Sequence, residues 1–193
     1  MELLTALSSI FSAFGLSASA GLNAYLPLLI VALAARFTPL INLASPYDVL
    51  ASWWAIGTLT VLLLIEFFAD KIPAVNHVND VIQTIVRPAA GAILFAASTT
   101  VITKMHPAVA IVLGLIVAGA VHAVKAAAVR PAVTATTGGT ANPIVSLVED
   151  VIATILSILA VVVPIVIGAV IALATAWLIL WLWRRSAREA RTS

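Results

Sequence analysis

Two series of polar side chains recur at helical spacing in an otherwise oily chain. His77, Asp80, Thr84 and Arg87 form one, and Ser146, Asp150, Thr154 and Ser157 the other. Positions three and four apart share a face of an α-helix, so each series is a polar stripe along one helix. Carboxylates beside an imidazole, hydroxyls and a guanidinium can bind or exchange cations and protons. Asp70, Asp80, Glu149 and Asp150 with His77 also supply the donor types that a divalent metal takes. No HExxH, GxSxG or catalytic cysteine is present, so the sequence singles out no catalytic residue, and it leaves the metal and any cofactor open.

The elements that must carry these stripes follow from composition. The 193 residues are 63% hydrophobic and 9% charged, with a mean hydropathy of +1.17. A soluble domain carries about 25% charged residues. Uncharged runs at 3–35, 49–65, 107–124 and 151–183 approach or exceed the ~20 residues of a membrane span. The fold class expected is all-α: a polytopic transmembrane helical bundle of about six spans, one integral membrane domain over 1–193. Both stripes must then face protein or water, because polar groups facing lipid are costly. With no cysteine, disulfides and thiolate metal sites are excluded. "SASA" at 17–20 resembles a cleavage site, but Met1-Glu2 is no basic n-region, so the first apolar run reads as a retained span.

Six spans at about 12–35, 49–69, 82–103, 107–127, 145–162 and 165–183 give the better charge asymmetry. Lys71, Arg87, Lys125, Arg130, Arg184, Arg185, Arg188 and Arg191 fall on one side, and only Arg36 and Lys104 on the other. By the positive-inside rule the first side is cytoplasmic. Both termini, the basic tail 184–193 and both stripe-bearing loops are expected there. Trp177, Trp181 and Trp183 suit an inner aromatic belt, and Trp53 and Trp54 an outer one. Five spans split the charges four against six.

The two stripes lie in related segments. "PAVNHVNDVIQTI" at 73–85 aligns with "PIVSLVEDVIATI" at 143–155 at a constant offset of 70, matching at eight of thirteen positions, among them Pro, Asp and Thr. An internal repeat of inner-loop and outgoing-helix units is expected, with Asp80 and Asp150 equivalent across a pseudo-twofold along the membrane normal. Both would face a shared, inward-facing polar vestibule. The plainer reading is that the stripes mark helix ends at the interface. Asn142-Pro143 reads as a helix start, with Asn142 accepting from free N–H groups.

Other spans add polar groups at that depth. Asn23 in "AGLNAYLP" is where the first span should bend, along with Gly15, Gly21 and Pro27. Irregular backbone is tolerated where it lines a cavity. Glu66 ends span two, and His122 lies a turn from Lys125. Lys125 is expected to snorkel. His122 needs a partner, Glu66 or Asp80. The loop "TATTGGTANP" surrounds Gly138 and Gly139 with threonines, Thr137 among them, ahead of a helix start. Its backbone N–H groups, with Arg130 and Lys125, could hold an anion. The pathway residues expected are thus Asp80, Asp150, Thr84, Thr154, His77, Asn23, Glu66, His122 and Arg87.

"SAGLNAYLPLL" at 19–29, "DKIPAVNHVNDVIQTIVRPAAGAILF" at 70–95 and the Arg130 to Asp150 series carry a resemblance. Over nearly the whole chain they resemble the bacterial membrane family catalogued as domain of unknown function 4126. The resemblance implies an integral protein of a bacterial plasma (inner) membrane, and it brings no activity, substrate or site residues.

Three functions fit the residues. A small transporter or channel accounts for the repeat, the stripes and the broken first span, and ranks first. A membrane-embedded enzyme acting on a lipid or polyprenyl phosphate would use the acidic cluster. A structural or assembly subunit would dock a partner on its inner loops. The lipid bilayer is the expected partner. Small-residue runs such as "AAGAILFAAS" and "GLIVAGA" allow homo-oligomer contacts. Nothing points to nucleic acid.

Overall fold

A computed structural model describes residues 2–69, 73–99, 105–163 and 177, with the backbone alone for 2–5 and 73–78. It is a helical bundle. The elements are α1 (Glu2–Leu22), α2 (Tyr25–Phe37), a 3₁₀ turn (Tyr47–Ala51), α3 (Trp53–Ala69), α4 (Pro73–Thr99), α5 (Pro107–Val124), a π turn (Lys125–Val129), α6 (Arg130–Thr137) and α7 (Asn142–Val163). The segments Asn79–Thr99, Pro107–Thr137 and Asn142–Val163 are each long and apolar enough to cross a membrane. Apolar side chains such as Phe11, Ile85, Val112 and Ile144 stay exposed on the helix faces turned away from the core, as lipid-facing positions do. The expected sixth span at 165–183, the tail 184–193 and Asp70, Lys71 and Lys104 lie outside the described residues.

The largest correction concerns the first span. The crossing over 12–35, expected to bend near Asn23, Gly15, Gly21 and Pro27, is two helices that meet at Asn23, while Gly15 and Gly21 lie inside α1 and Pro27 inside α2. Its side-chain oxygen accepts from the backbone N–H groups of Tyr25 and Leu26, at 3.0 and 2.9 Å. Asn23 therefore stops α1 and starts α2, as a capping side chain does. The chain also reverses there. α1 runs antiparallel to α4, with Ser17 bonded to the Gly91 carbonyl and Phe14 against Phe95. α2 runs antiparallel to α3. Phe37 at the end of α2 meets Trp53 at the start of α3, and Tyr25 at the start of α2 lies beside Glu66 near the end of α3. Three residues separate the end of α3 from the start of α4 and Glu66 meets Arg87, so α3 runs toward the start of α4, and α2 therefore runs with α4 and against α1. The starts of α1 and α3 thus share one end of the bundle. The end of α3, the start of α4 and the α6–α7 turn share the other.

Packing between α1, α4 and α5 depends on small residues. A Cβ on Gly91 would collide with the Ala118 side chain and approach the Gly114 carbonyl to 2.9 Å, and one on Gly114 would collide with Gly91. The close backbone approach these glycines allow is the membrane helix-packing device in which small residues replace the hydrophobic drive. The runs read as surfaces for other copies are thus used, at these positions, inside the chain. α7 covers the other side of α1: Ser12 donates to the Ala160 carbonyl and Ser19 to that of Ala153, both buried or nearly so.

Helix starts follow local chemistry. His106 caps α5, its Nδ1 accepting from Ala108 N ahead of Pro107. α7 departs from expectation. Its first N–H groups, from Ile144 and Val145, bond to the Ala141 carbonyl, while the Asn142 amide donates to Thr134 Oγ1. The helix begins a residue earlier than Asn142 could cap it.

Candidate functional site: a charged network at one end of the bundle

Where α1 and α3 end and α4 and α7 begin, seven ionisable side chains come together with α5, the π turn and α6. The deepest group is built on α4. Arg87 is 1% exposed, and its Nη2 donates to Glu66 Oε1 at 2.9 Å; Glu66 is 2% exposed. Its Nη1 lies 3.3 Å from His122 Nδ1, and the other ring nitrogen lies 3.2 Å from Thr84 Oγ1. Burying two ions is tolerable only where they are paired and further hydrogen-bonded. Arg87 on α4 and His122 on α5 meet because Gly91 and Gly114 let those two helices approach, and Glu66 reaches Arg87 from α3. His122 was expected to pair with Glu66 or Asp80; it is Arg87 that stands between His122 and Glu66.

One turn nearer the end lies a second group. Arg130 Nη1 donates to Asp80 Oδ2 at 2.7 Å, and its Nη2 is 4.0 Å from Glu149 Oε2. Lys125 Nζ is 2.6 Å from the same Glu149 oxygen and donates to the Leu22 carbonyl at 3.1 Å. Lys125 is 3% exposed, so it does not snorkel. Its ammonium turns inward to a carboxylate and to a carbonyl that the end of α1 leaves over.

The π turn makes this pairing possible. Five residues on an α-helix end roughly 140° apart around the axis, so Lys125 and Arg130 would face different ways. Here the Arg130 N–H bonds to the Lys125 carbonyl, the i→i+5 pattern of a π turn. Winding five residues into about one turn brings both cations onto Glu149. Periodicity read at a constant 3.6 residues per turn could not find this, although the "KAAAVRP" stretch, with its proline at the second position of α6, marks where a helix is disturbed.

The second stripe joins from α7. Asn23 Nδ2 donates to Asp150 Oδ1 at 2.9 Å, and Ser19 and Ser157 Oγ lie 2.7 Å apart in the core. Thr84 and Thr154 make the same bond, each donating its hydroxyl four residues back, to the carbonyls of Asp80 and Asp150, at 2.9 and 2.8 Å. Asp80 and Asp150 have separate partners, Arg130 for one and Asn23 for the other. The side chain of His77 lies outside the described residues. Among the described residues no three His, Asp or Glu side chains gather as metal ligands. The carboxylates of Asp80 and Glu149 are each turned to a cation.

The glycine loop caps α6. Gly138 (φ +63°) and Gly139 (φ +85°) take left-handed conformations. The N–H groups of Thr140 and Asn142 bond to the carbonyls of Thr137 and Gly139, and Arg130 points to Asp80 instead of the loop. Sequence reasoning did not find Tyr25 and Gln83. The Gln83 side chain bonds to the Tyr25 hydroxyl beside Glu66 and Arg87. Gln83, between Ile82 and Thr84, reads as an ordinary polar position, and only tertiary contact reveals it.

The profile of one family, described as Domain of unknown function (DUF4126), matches residues 10–185. The chain belongs to that family. The match spans all the helices that build the charged network. Comparison with curated proteins and with solved structures finds no match.

Proposed function

We propose that this DUF4126 member is a small transporter or channel of the bacterial inner membrane, and that its charged network is the ion or substrate path. The observation that carries this is the Glu66–Arg87–His122 group, sealed at the core between the apolar α3 and two helices long enough to cross a membrane. Ionisable residues inside a membrane are expensive and, where they persist, usually mark pathways. A second observation supports a path that takes polar guests. Gln83 Oε1 and Arg87 Nε, four residues apart on α4, are buried and have no hydrogen-bond partner among the described residues. An orphaned buried acceptor or donor costs about 1–3 kcal/mol, a penalty that water or a small solute relieves.

In this reading the charged end is cytoplasmic, where it forms the inward-facing vestibule, and the start of α1 lies on the outer side. The segments 73–85 and 143–155 are an internal repeat whose equivalent threonine–aspartate bonds line the two walls. The test is flux. Full-length protein in liposomes, given gradients of monovalent and divalent cations and of pH, is expected to dissipate at least one of them, and Glu66→Gln to abolish that flux. Folded wild-type protein that passes none of them would overturn the proposal.

A further inference from the structure

We infer that His122 is the proton-exchanging group of this path, so that the ion moved, or the one that drives movement, is H⁺; this rests on the transport reading above. Hydrogen-bond polarity assigns the ring. A guanidinium has donors only, so the nitrogen facing Arg87 Nη1, Nδ1, must be the acceptor. The neutral ring then carries its hydrogen on Nε2 and donates to Thr84 Oγ1, whose own hydrogen goes to the Asp80 carbonyl. The bonds therefore run one way, from Glu66-paired Arg87 through His122 to Thr84.

The two ring nitrogens also face different surroundings. Nδ1 faces the sealed Glu66–Arg87 pair. Nε2 faces Thr84, at a groove of about 340 Å³ that Thr84, Pro88, Gly119 and His122 line with three alanines. Thr84 is exposed while His122 is 4% exposed. Pro88 lacks the N–H that would bond the Thr84 carbonyl in a regular helix, which leaves a second acceptor facing the groove.

This arrangement is a two-sided relay. A proton carried in by water drawn to the unpartnered Gln83 Oε1 and Arg87 Nε adds to Nδ1 once Arg87 Nη1 withdraws. The ring then loses the Nε2 proton to water in the groove. One N–H bond forms and one breaks, the ring returns to neutrality, and a tautomer exchange resets it. Arg87 is the gate, because Nδ1 cannot accept a proton while a guanidinium points at it. The groups that face His122 set its balance. They are Arg87, Thr84 and Asp80 on α4, Lys125 on the π turn and Arg130 on α6, with Glu66 on α3 behind Arg87 and Glu149 on α7 behind Lys125. Movement of Arg87 toward Glu66 relieves the repulsion that an imidazolium would feel.

The test has two arms on the full-length protein. Nitrogen-15 histidine spectra in lipid nanodiscs, with the His122 signal assigned by its loss in His122→Gln, are expected to show a neutral ring protonated at Nε2 near neutral pH. In Arg87→Gln that single tautomer is expected to become a mixture. A ring protonated at Nδ1, or one unchanged by Arg87→Gln, overturns the inference. In the second arm a pH-sensitive dye inside liposomes reads proton entry, expected to fall at least ~10-fold in His122→Gln. Proton flux that survives His122→Gln, or flux of another cation without protons, overturns the proton assignment and leaves transport standing. No flux of any ion from folded wild type overturns the transport reading itself.

Discussion

Neutralising one member of the Glu66–Arg87 pair at a time, and then both, tests what the buried charges do for the fold. The two side chains are 2% and 1% exposed and 2.9 Å apart. An effective dielectric of about 20 gives roughly 6 kcal/mol of attraction at that distance, from which desolvation of both ions subtracts several kcal/mol. The pair therefore adds little net stability, while breaking it is expensive. Glu66→Gln leaves a buried guanidinium facing only a neutral imidazole. Arg87→Gln leaves a buried carboxylate. Each is expected to cost about 3–5 kcal/mol. The double variant keeps the volume and replaces two ions by amides that can bond each other and His122, so its cost is expected to be on the order of 1 kcal/mol. Unfolding in mixed micelles, followed by tryptophan fluorescence, measures all three. Single variants each costing under ~1 kcal/mol, or a double variant whose cost is the sum of the singles, would refute the reasoning, because independent sites add within about 0.5 kcal/mol.

Three further outcomes follow from the same geometry. Deleting one alanine of 126–128 should convert the π turn to α-helix and rotate Arg130 by about 100° away from Asp80 and Glu149; Arg130→Gln, destabilising in the intact chain, should then cost nothing further in the same unfolding measurement. Gly91→Val should destabilise by at least ~1–3 kcal/mol, because its branched side chain meets Ala118 and the backbone of α5, whereas Gly57→Ala, which meets nothing within 4 Å, should be nearly neutral in the same unfolding measurement. In the cysteine-free chain, Thr38→Cys and Thr140→Cys should react with an impermeant thiol reagent from opposite sides of the membrane; labelling from one side would break the assignment of bundle ends.

The helices that carry the network were legible where one rule sufficed. Hydropathy placed α3, α5 and α7 near their observed limits, and the proline of each related segment stands at or next to a helix start. The rule that a buried charge needs a partner picked out Glu66, Arg87 and His122 correctly as residues to explain. It could not say which would pair, since that depends on how closely α4 and α5 approach at Gly91 and Gly114. Two features hid from periodicity. Asn23 was legible as a place where the first span bends, but its bonds to the following N–H groups, which turn that bend into a reversal, are a local event that hydropathy does not register, so α1 and α2 were merged. The π turn changes the residues per turn between Lys125 and Arg130, so counting at constant pitch could not bring the two cations together, and the place of Lys125 near a span end suggested a snorkelling side chain. Polar positions such as Tyr25 and Gln83 acquire meaning only from each other, across 58 positions of sequence.

Ion flux through the Glu66→Gln/Arg87→Gln double variant, set against wild type in liposomes of matched protein content, tests the central claim most directly. Its predicted near-native stability separates loss of the path from loss of the fold. The account predicts that wild type dissipates a proton gradient and that the folded double variant does not. Equal flux from the two proteins would contradict it, and would make the buried charges a matter of architecture alone.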